Sequence, residues 1–80
     1  MEKLFTVELD QQDKTLEMHL NKVGVEYLKS ILEKLILNDQ DSHIHLMSPE
    51  WGGDELSTDQ QNLGDNIMLL HQLKVVYWKE

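Results

Sequence analysis

Residues 4–38 decide the fold, and they read LFTVELDQQDKTLEMHLNKVGVEYLKSILEKLILN. Apolar and polar side chains alternate over residues 4–9 and again over residues 15–20, which is the period of half-buried strands. The polar run between them, residues 10–14, has the length of a hairpin loop. These segments predict an antiparallel hairpin over residues 3–20.

The rest of this stretch has the period of an amphipathic helix. Its apolar residues recur at the spacing of one helical face: Val25, Leu28, Ile31, Leu32, Leu35 and Ile36. Asn21 is a suitable N-cap, and Asn38 is a suitable C-terminus. The sequence therefore predicts a helix over residues 22–38. Gly24 is unfavourable inside a helix, so a later start at Val25 is the alternative.

A third strand follows the helix. Over residues 42–47, Ile44 and Leu46 alternate with His43, His45 and Met47, which predicts that the aliphatic pair is buried and the histidines lie on the other face. Residues 48–65 contain the single proline, two adjacent glycines and several acids, and they predict a long acidic loop.

The last segment, residues 66–79, is apolar and rich in strand-forming residues. It predicts either one long bent strand or two strands that meet near His71 and Gln72. The whole chain is thus expected to form one α+β domain over residues 1–80, a ββαββ-type antiparallel sheet with one long helix packed on one face. The open face of that sheet is expected to carry His19, His43, His45, Met47 and Trp78, and homodimerisation through it or through an edge strand is one hypothesis.

Composition limits the function. The chain has 80 residues and no cysteine, so disulfides, thiolate metal sites and cysteine nucleophiles are excluded. No apolar run approaches the ~20 residues that span a bilayer, so we expect a cytoplasmic protein without membrane contact.

The charge is asymmetric. The net charge is −8, and residues 35–73 contain seven acids and no lysine or arginine. All seven basic residues are lysines, which lack the bidentate guanidinium contacts that favour nucleic acids. We therefore expect no direct nucleic-acid binding. A basic partner protein fits the acidic half, although a solvated surface that aids solubility is the simpler interpretation.

Histidines offer the main chemical alternative. His43 and His45 place two imidazoles about 7 Å apart on one strand face, and Glu50, His19 or His71 could add further zinc ligands. No spacing in the sequence brings these residues together, so we predict no metal and no cofactor. Nucleophile elbows, phosphate loops and paired-carboxylate motifs are missing as well, and we predict that the chain is not an enzyme.

Trp51 stands out in the acidic loop, beside Gly52 and Gly53. An exposed tryptophan on a pre-ordered loop is a typical binding hot spot. The alternative is that Trp51 folds back and caps the small core.

The run HIHLMSPEWGGDEL, residues 43–56, resembles the characteristic segment of the immunity protein 32 family, small bacterial proteins of polymorphic toxin systems. The resemblance implies a protein that binds a cognate toxin in the producing cell and blocks its active site or substrate groove. A basic nuclease domain is a suitable toxin, because carboxylates can occupy a groove built for phosphates. The expected contact residues are His43, His45, Glu50, Trp51, Asp54, Glu55, Asp59 and Asp65. The alternatives are a small homo-oligomeric structural or regulatory protein and a histidine-based metal-binding domain.

Overall fold

The computed structural model describes residues 1–79, so Glu80, the last residue of the predicted domain, lies outside the described residues. The elements in chain order are β1 (Phe5–Asp10), β2 (Thr15–Leu20), α1 (Lys22–Asn38), β3 (Ser42–Met47), a short 3-10 helix (Pro49–Trp51), β4 (Ile67–Leu70) and β5 (Gln72–Tyr77). The predicted α+β class and the ββαββ-type fold are confirmed, with β4 and β5 in place of a single last strand. No helix within residues 1–79 is long and apolar enough to cross a membrane.

The strands form two antiparallel sheets, where the sequence suggested one. Sheet A has the order β2-β1-β4, and sheet B pairs β3 with β5. The C-terminal segment forms two strands separated by His71. Of the two predicted alternatives, two strands that meet near His71 is therefore confirmed, and one long bent strand is not. Because the chain bends at this residue, β4 pairs with β1 while β5 pairs with β3.

The core lies where the two sheets meet the helix. Its fully buried apolar residues are Phe5 and Val7 of β1, Leu46 of β3 and Leu56 of the long loop. From α1, Tyr27, Leu28 and Ile31 pack against this cluster. Leu46 is buried and the two histidines of β3 are exposed, as the alternation predicted.

The helix begins at Lys22 and not at the later alternative, Val25. The Asn21 side chain accepts a hydrogen bond from the Gly24 N–H at 2.9 Å, so it is the predicted N-cap. Gly24 is buried, and a Cβ atom there would lie 1.9 Å from the Leu4 carbonyl oxygen. The glycine is needed for this close approach of Leu4, directly before β1, to the helix, which explains its presence despite its low helix propensity.

The long loop covers the polar face of sheet A. Thr6 and Glu8 are fully buried beneath it. The Thr6 hydroxyl donates to the Asp59 carbonyl, and the Glu8 carboxylate accepts from the main-chain N–H groups of Gln61 and Asn62 at 2.7 and 3.0 Å. Backbone donors therefore compensate the buried charge of Glu8.

This cover corrects the expectation that His19 lies on an open sheet face. His19 is only partly exposed, and its Nε2 atom lies 2.9 Å from Glu17 and 3.5 Å from Glu8. On the opposite face of the same sheet, Leu16 and Met18 are 52% and 45% exposed, because the helix covers only part of that face. Both faces of the hairpin thus contain fully buried residues: Phe5 and Val7 on the apolar face, and Thr6 and Glu8 on the polar face.

Candidate functional site

The loop that follows β3 is ordered by main-chain hydrogen bonds. The N–H groups of Trp51 and Gly53 donate to the Ser48 carbonyl, and those of Glu55 and Leu56 donate to the Met47 carbonyl. Gly52 has φ +90°, a backbone conformation that ends the 3-10 helix and favours glycine. The loop therefore has a defined shape around Trp51.

Trp51 is exposed and rests on His71. Its side chain is 57% exposed, and its ring lies nearly parallel to the His71 ring, with centroids 6.1 Å apart and an interplanar angle of 12°. His71 is held in turn by the buried Ser48, whose Oγ lies 2.7 Å from Nδ1 of the imidazole. Trp51 is therefore not part of the core cluster.

Glu50 completes this group. Its Oε2 atom lies 3.6 Å from the other ring nitrogen of His71, and its side chain is largely exposed. We call Ser48, Glu50, Trp51 and His71 the Trp51 cluster. It presents an aromatic ring and a carboxylate to solvent on a support that is already ordered.

His43 and His45 lie on the exposed face of sheet B. Their rings meet edge to face, with centroids 5.1 Å apart. Gln72 Nε2 lies 2.7 Å from His45 Nδ1, and Gln72 directly follows His71 in the chain. The histidine face and the Trp51 cluster are therefore linked through the first residue of β5.

The two strand histidines gain no third metal ligand. Among residues 1–79, three metal-ligating side chains converge only at Glu8, Glu17 and His19, on the other sheet. The Glu17 carboxylate there accepts from the Asn62 side-chain amide, and Glu8 accepts from main-chain N–H groups. Hydrogen bonds within the protein account for both carboxylates without a bound ion.

Glu55 has a structural role in the loop. Its carboxylate accepts from the Met47 N–H at 2.9 Å and from the Asp54 N–H at 3.3 Å. The hydrogen bond from the Met47 N–H is the largest cause that lowers the pKa of Glu55 below its ordinary value. Asp54 is exposed beside it, and its carbonyl accepts from the Lys3 ammonium group.

The remaining predicted contacts lie elsewhere on the loop. Asp59 is exposed where the loop crosses β1, since its carbonyl accepts from Thr6. Asp65 is exposed next to Asn66, whose carbonyl accepts from Gln11 in the hairpin turn. The structure thus brings Glu50 and Trp51 together, places His43 and His45 on the adjoining sheet, and distributes the two aspartates along the cover of sheet A.

Ser48 and His71 are the members of the Trp51 cluster that the sequence did not assign to the site. They are 23 residues apart and meet only because β3 pairs with β5. The sequence feature that could have assigned His71 to the site is the predicted strand junction there, because a junction places its side chain at the end of a sheet.

This surface combines two features that are suited to binding a protein. A fixed aromatic ring supplies contact area at little loss of conformational entropy, and exposed carboxylates select for a cationic partner. No family model, curated protein or solved structure matches the chain.

Proposed function

We propose that the chain is a bacterial immunity protein that binds and neutralises a cognate protein toxin, with Trp51 as the anchor of the interface. The observation that carries this proposal is that Trp51 is 57% exposed and yet fixed against His71 on a hydrogen-bonded loop. An exposed tryptophan does little for the stability of the isolated chain. In an interface it is among the residues that contribute most.

Electrostatics supports a basic toxin. The exposed carboxylates of Glu50 and Asp54 flank Trp51, in a chain with a net charge of −8. Such a surface accelerates encounter with a cationic groove, of the kind that a nuclease uses to hold phosphates. Glu55 acts indirectly in this proposal because it fixes the loop that carries Trp51.

The resemblance of residues 43–56 to the immunity protein 32 family gives the proposal its biological setting. The protein acts stoichiometrically, in the cytoplasm of the cell that produces the toxin. It performs no catalysis, needs no cofactor, and contacts neither nucleic acid nor membrane. His43 and His45 border the contact with the toxin.

A homo-oligomeric structural protein is the second candidate, and a separate observation favours it. Leu16, Met18 and Met68 are each more than 40% exposed on the apolar face of sheet A. Exposed apolar patches often mark contacts between proteins. A second copy of the chain would cover this face without any contribution from Trp51.

The experiment that separates the candidates is affinity capture from the native host, with the tagged chain as bait and mass spectrometry of the bound proteins at low and moderate salt. We expect one basic protein, which is toxic when it is expressed alone and harmless when it is expressed with the chain. Glu50→Lys and Asp54→Lys should reduce its recovery more than Asp13→Lys, an equal change of charge in the distant hairpin turn. Recovery of the bait alone would favour the homo-oligomer.

A further inference from the structure

A groove of about 410 Å³ separates α1 from β3. Tyr27, Ile31 and Leu35 line it on the helix side, and residues 42–46 of β3 line it on the other. Lys34 and Asn38 stand on the helix side as well. The groove therefore runs beside the strand and has a largely apolar wall.

The edge of β3 that faces away from β5 has unpaired main-chain groups. Met47 directs its N–H to the Glu55 carboxylate, and its carbonyl accepts from the N–H groups of Glu55 and Leu56. Met47 therefore bonds away from β5, in agreement with the hydrogen bond from the Ser48 N–H to the His71 carbonyl. Because main-chain groups alternate in direction along an antiparallel strand, His43 and His45 also direct their N–H and C=O groups away from β5. No loop or helix of residues 1–79 supplies a main-chain hydrogen bond to them.

Between His43 and His45, this edge lacks three of the features that prevent strand addition: lysine, proline and a β-bulge. Residues 42–47 contain no lysine and no proline, and their register with β5 is continuous, without a bulge. At Met47 the chain itself already pairs with the same edge through Glu55 and Leu56. The geometry of the edge is thus suited to an added strand. The part of the edge that is still unpaired is His43–His45.

We propose that the β3 edge accepts an extended segment of a cationic partner protein, which pairs with the main chain of His43 and His45 and inserts an apolar side chain into the groove beside Ile31 and Leu35. An added strand satisfies the free main-chain groups, and alternate side chains provide specificity. This proposal does not rest on the immunity function.

Charge identifies the occupant. The chain carries a net charge of −8, and Asp41 precedes β3. Lys34 lines the groove and Lys79 pairs with Asp39, so the attraction of a cationic partner comes from the net charge of the whole chain. Two copies of the chain would each bring this same negative charge to the contact. A partner strand with lysine or arginine on its solvent side is instead attracted to it.

The test uses an acetylated and amidated hexapeptide of alternating lysine and valine as the probe, with amide hydrogen exchange of the full chain followed by NMR. We expect the peptide to slow exchange at His43 and His45. The control is a hexapeptide of alternating glutamate and valine with the same end groups. It should bind more weakly by about tenfold or more, because its charge has the same sign as that of the protein.

The decisive variants are His45→Pro and His45→Ala. Both remove the imidazole, but only proline removes the outward N–H, which the β3–β5 pairing does not use. We expect His45→Pro to weaken peptide binding about five- to tenfold relative to His45→Ala, the effect of one hydrogen bond. If His45→Pro does not fold, the lysine–valine peptide can be N-methylated at alternate residues instead, which removes N–H donors from the peptide. In one of the two methylation patterns the removed N–H groups are those that face β3, and that peptide should not bind.

The proposal fails if the peptide does not bind, if protection appears away from β3, or if His45→Pro and His45→Ala bind equally. Protection of His43 and His45 that grows with protein concentration in the absence of peptide would assign the edge to a second copy of the chain, and would also overturn the proposal.

Discussion

At the scale of the residue, Gly24 is the position where helix propensity and packing oppose each other. Gly24→Ala should raise helix propensity by about 1 kcal/mol. A Cβ atom would, however, lie 1.9 Å from the Leu4 carbonyl oxygen, so the main chain of Leu4 and the helix must move apart. We expect a net loss of about 1–3 kcal/mol in the free energy of unfolding, measured by urea denaturation. Ser30→Ala, on the exposed side of the same helix, is the control and should be neutral or slightly stabilising; a stabilising Gly24→Ala would contradict the packing described here.

Glu55 gives a prediction of pH dependence. Its pKa is lowered in the folded chain, chiefly by the hydrogen bond from the Met47 N–H, so its ionised form is the one that stabilises the fold. This contribution is complete above the ordinary pKa of 4.5 and is lost as the pH falls through the lower folded value. Glu55→Gln should therefore reduce the free energy of unfolding by about 1 kcal/mol at pH 7, and the deficit should shrink below about pH 4.5.

The control for Glu55→Gln is Glu33→Gln, which removes an equal charge from the exposed face of the helix. Denaturation of both variants at neutral and acidic pH separates the loop hydrogen bonds from the general effect of lowering the net negative charge. A deficit of Glu55→Gln that is equal at both pH values would show that its carboxylate does not act as described.

At the scale of the element, the long loop behaves as part of the core. Leu56 is 2% exposed, whereas Leu63 of the same loop is 80% exposed. Leu56→Ala should lower the free energy of unfolding by about 3 kcal/mol, and Leu63→Ala should leave it almost unchanged. Hydrogen exchange should also accelerate at Ser57, whose N–H donates to the Phe5 carbonyl. Equal effects of the two leucine variants would mean that the loop does not pack as a cover.

The individual elements were largely predictable because their signals are local. Alternation identified the hairpin and β3, and the apolar stripe after Asn21 identified the helix. The division into two sheets was not predictable. The chain bends at His71 because β4 pairs with β1 and β5 pairs with β3, and these pairings cannot be read from the local sequence. The burial of Glu8 was not predictable either, because its hydrogen-bond donors come from the main chain of Gln61 and Asn62, which any sequence supplies.

At the scale of the whole molecule, small size and strong negative charge have linked consequences. A chain of 80 residues buries little apolar surface, and here large apolar side chains such as Leu16 and Ile36 remain exposed. A net charge of −8 disfavours association between identical copies and favours encounter with basic proteins. These properties together suit a protein that works by binding.

In the candidate site, too, features that depend on neighbouring residues were easier to predict than contacts between distant parts of the chain. Trp51 and Glu50 were proposed as contact residues from their loop, and both are exposed, although the support of Trp51 by Ser48 and His71 required the paired strands of sheet B. The structural role of Glu55 could not be inferred from the sequence, because an acid in an acidic loop has the same appearance whether it faces a partner or the main chain.

The most direct test of the proposed immunity function is the dissociation rate of the complex between the chain and its captured toxin, compared for Trp51→Ala and Trp78→Ala. Trp78 is 72% exposed and is the matched control, since it is the other exposed tryptophan among residues 1–79. If Trp51 is the anchor, Trp51→Ala should speed dissociation by about thirtyfold or more, with an unchanged fold by circular dichroism, while Trp78→Ala has little effect. Equal dissociation rates for the wild-type chain and a folded Trp51→Ala variant would contradict the account.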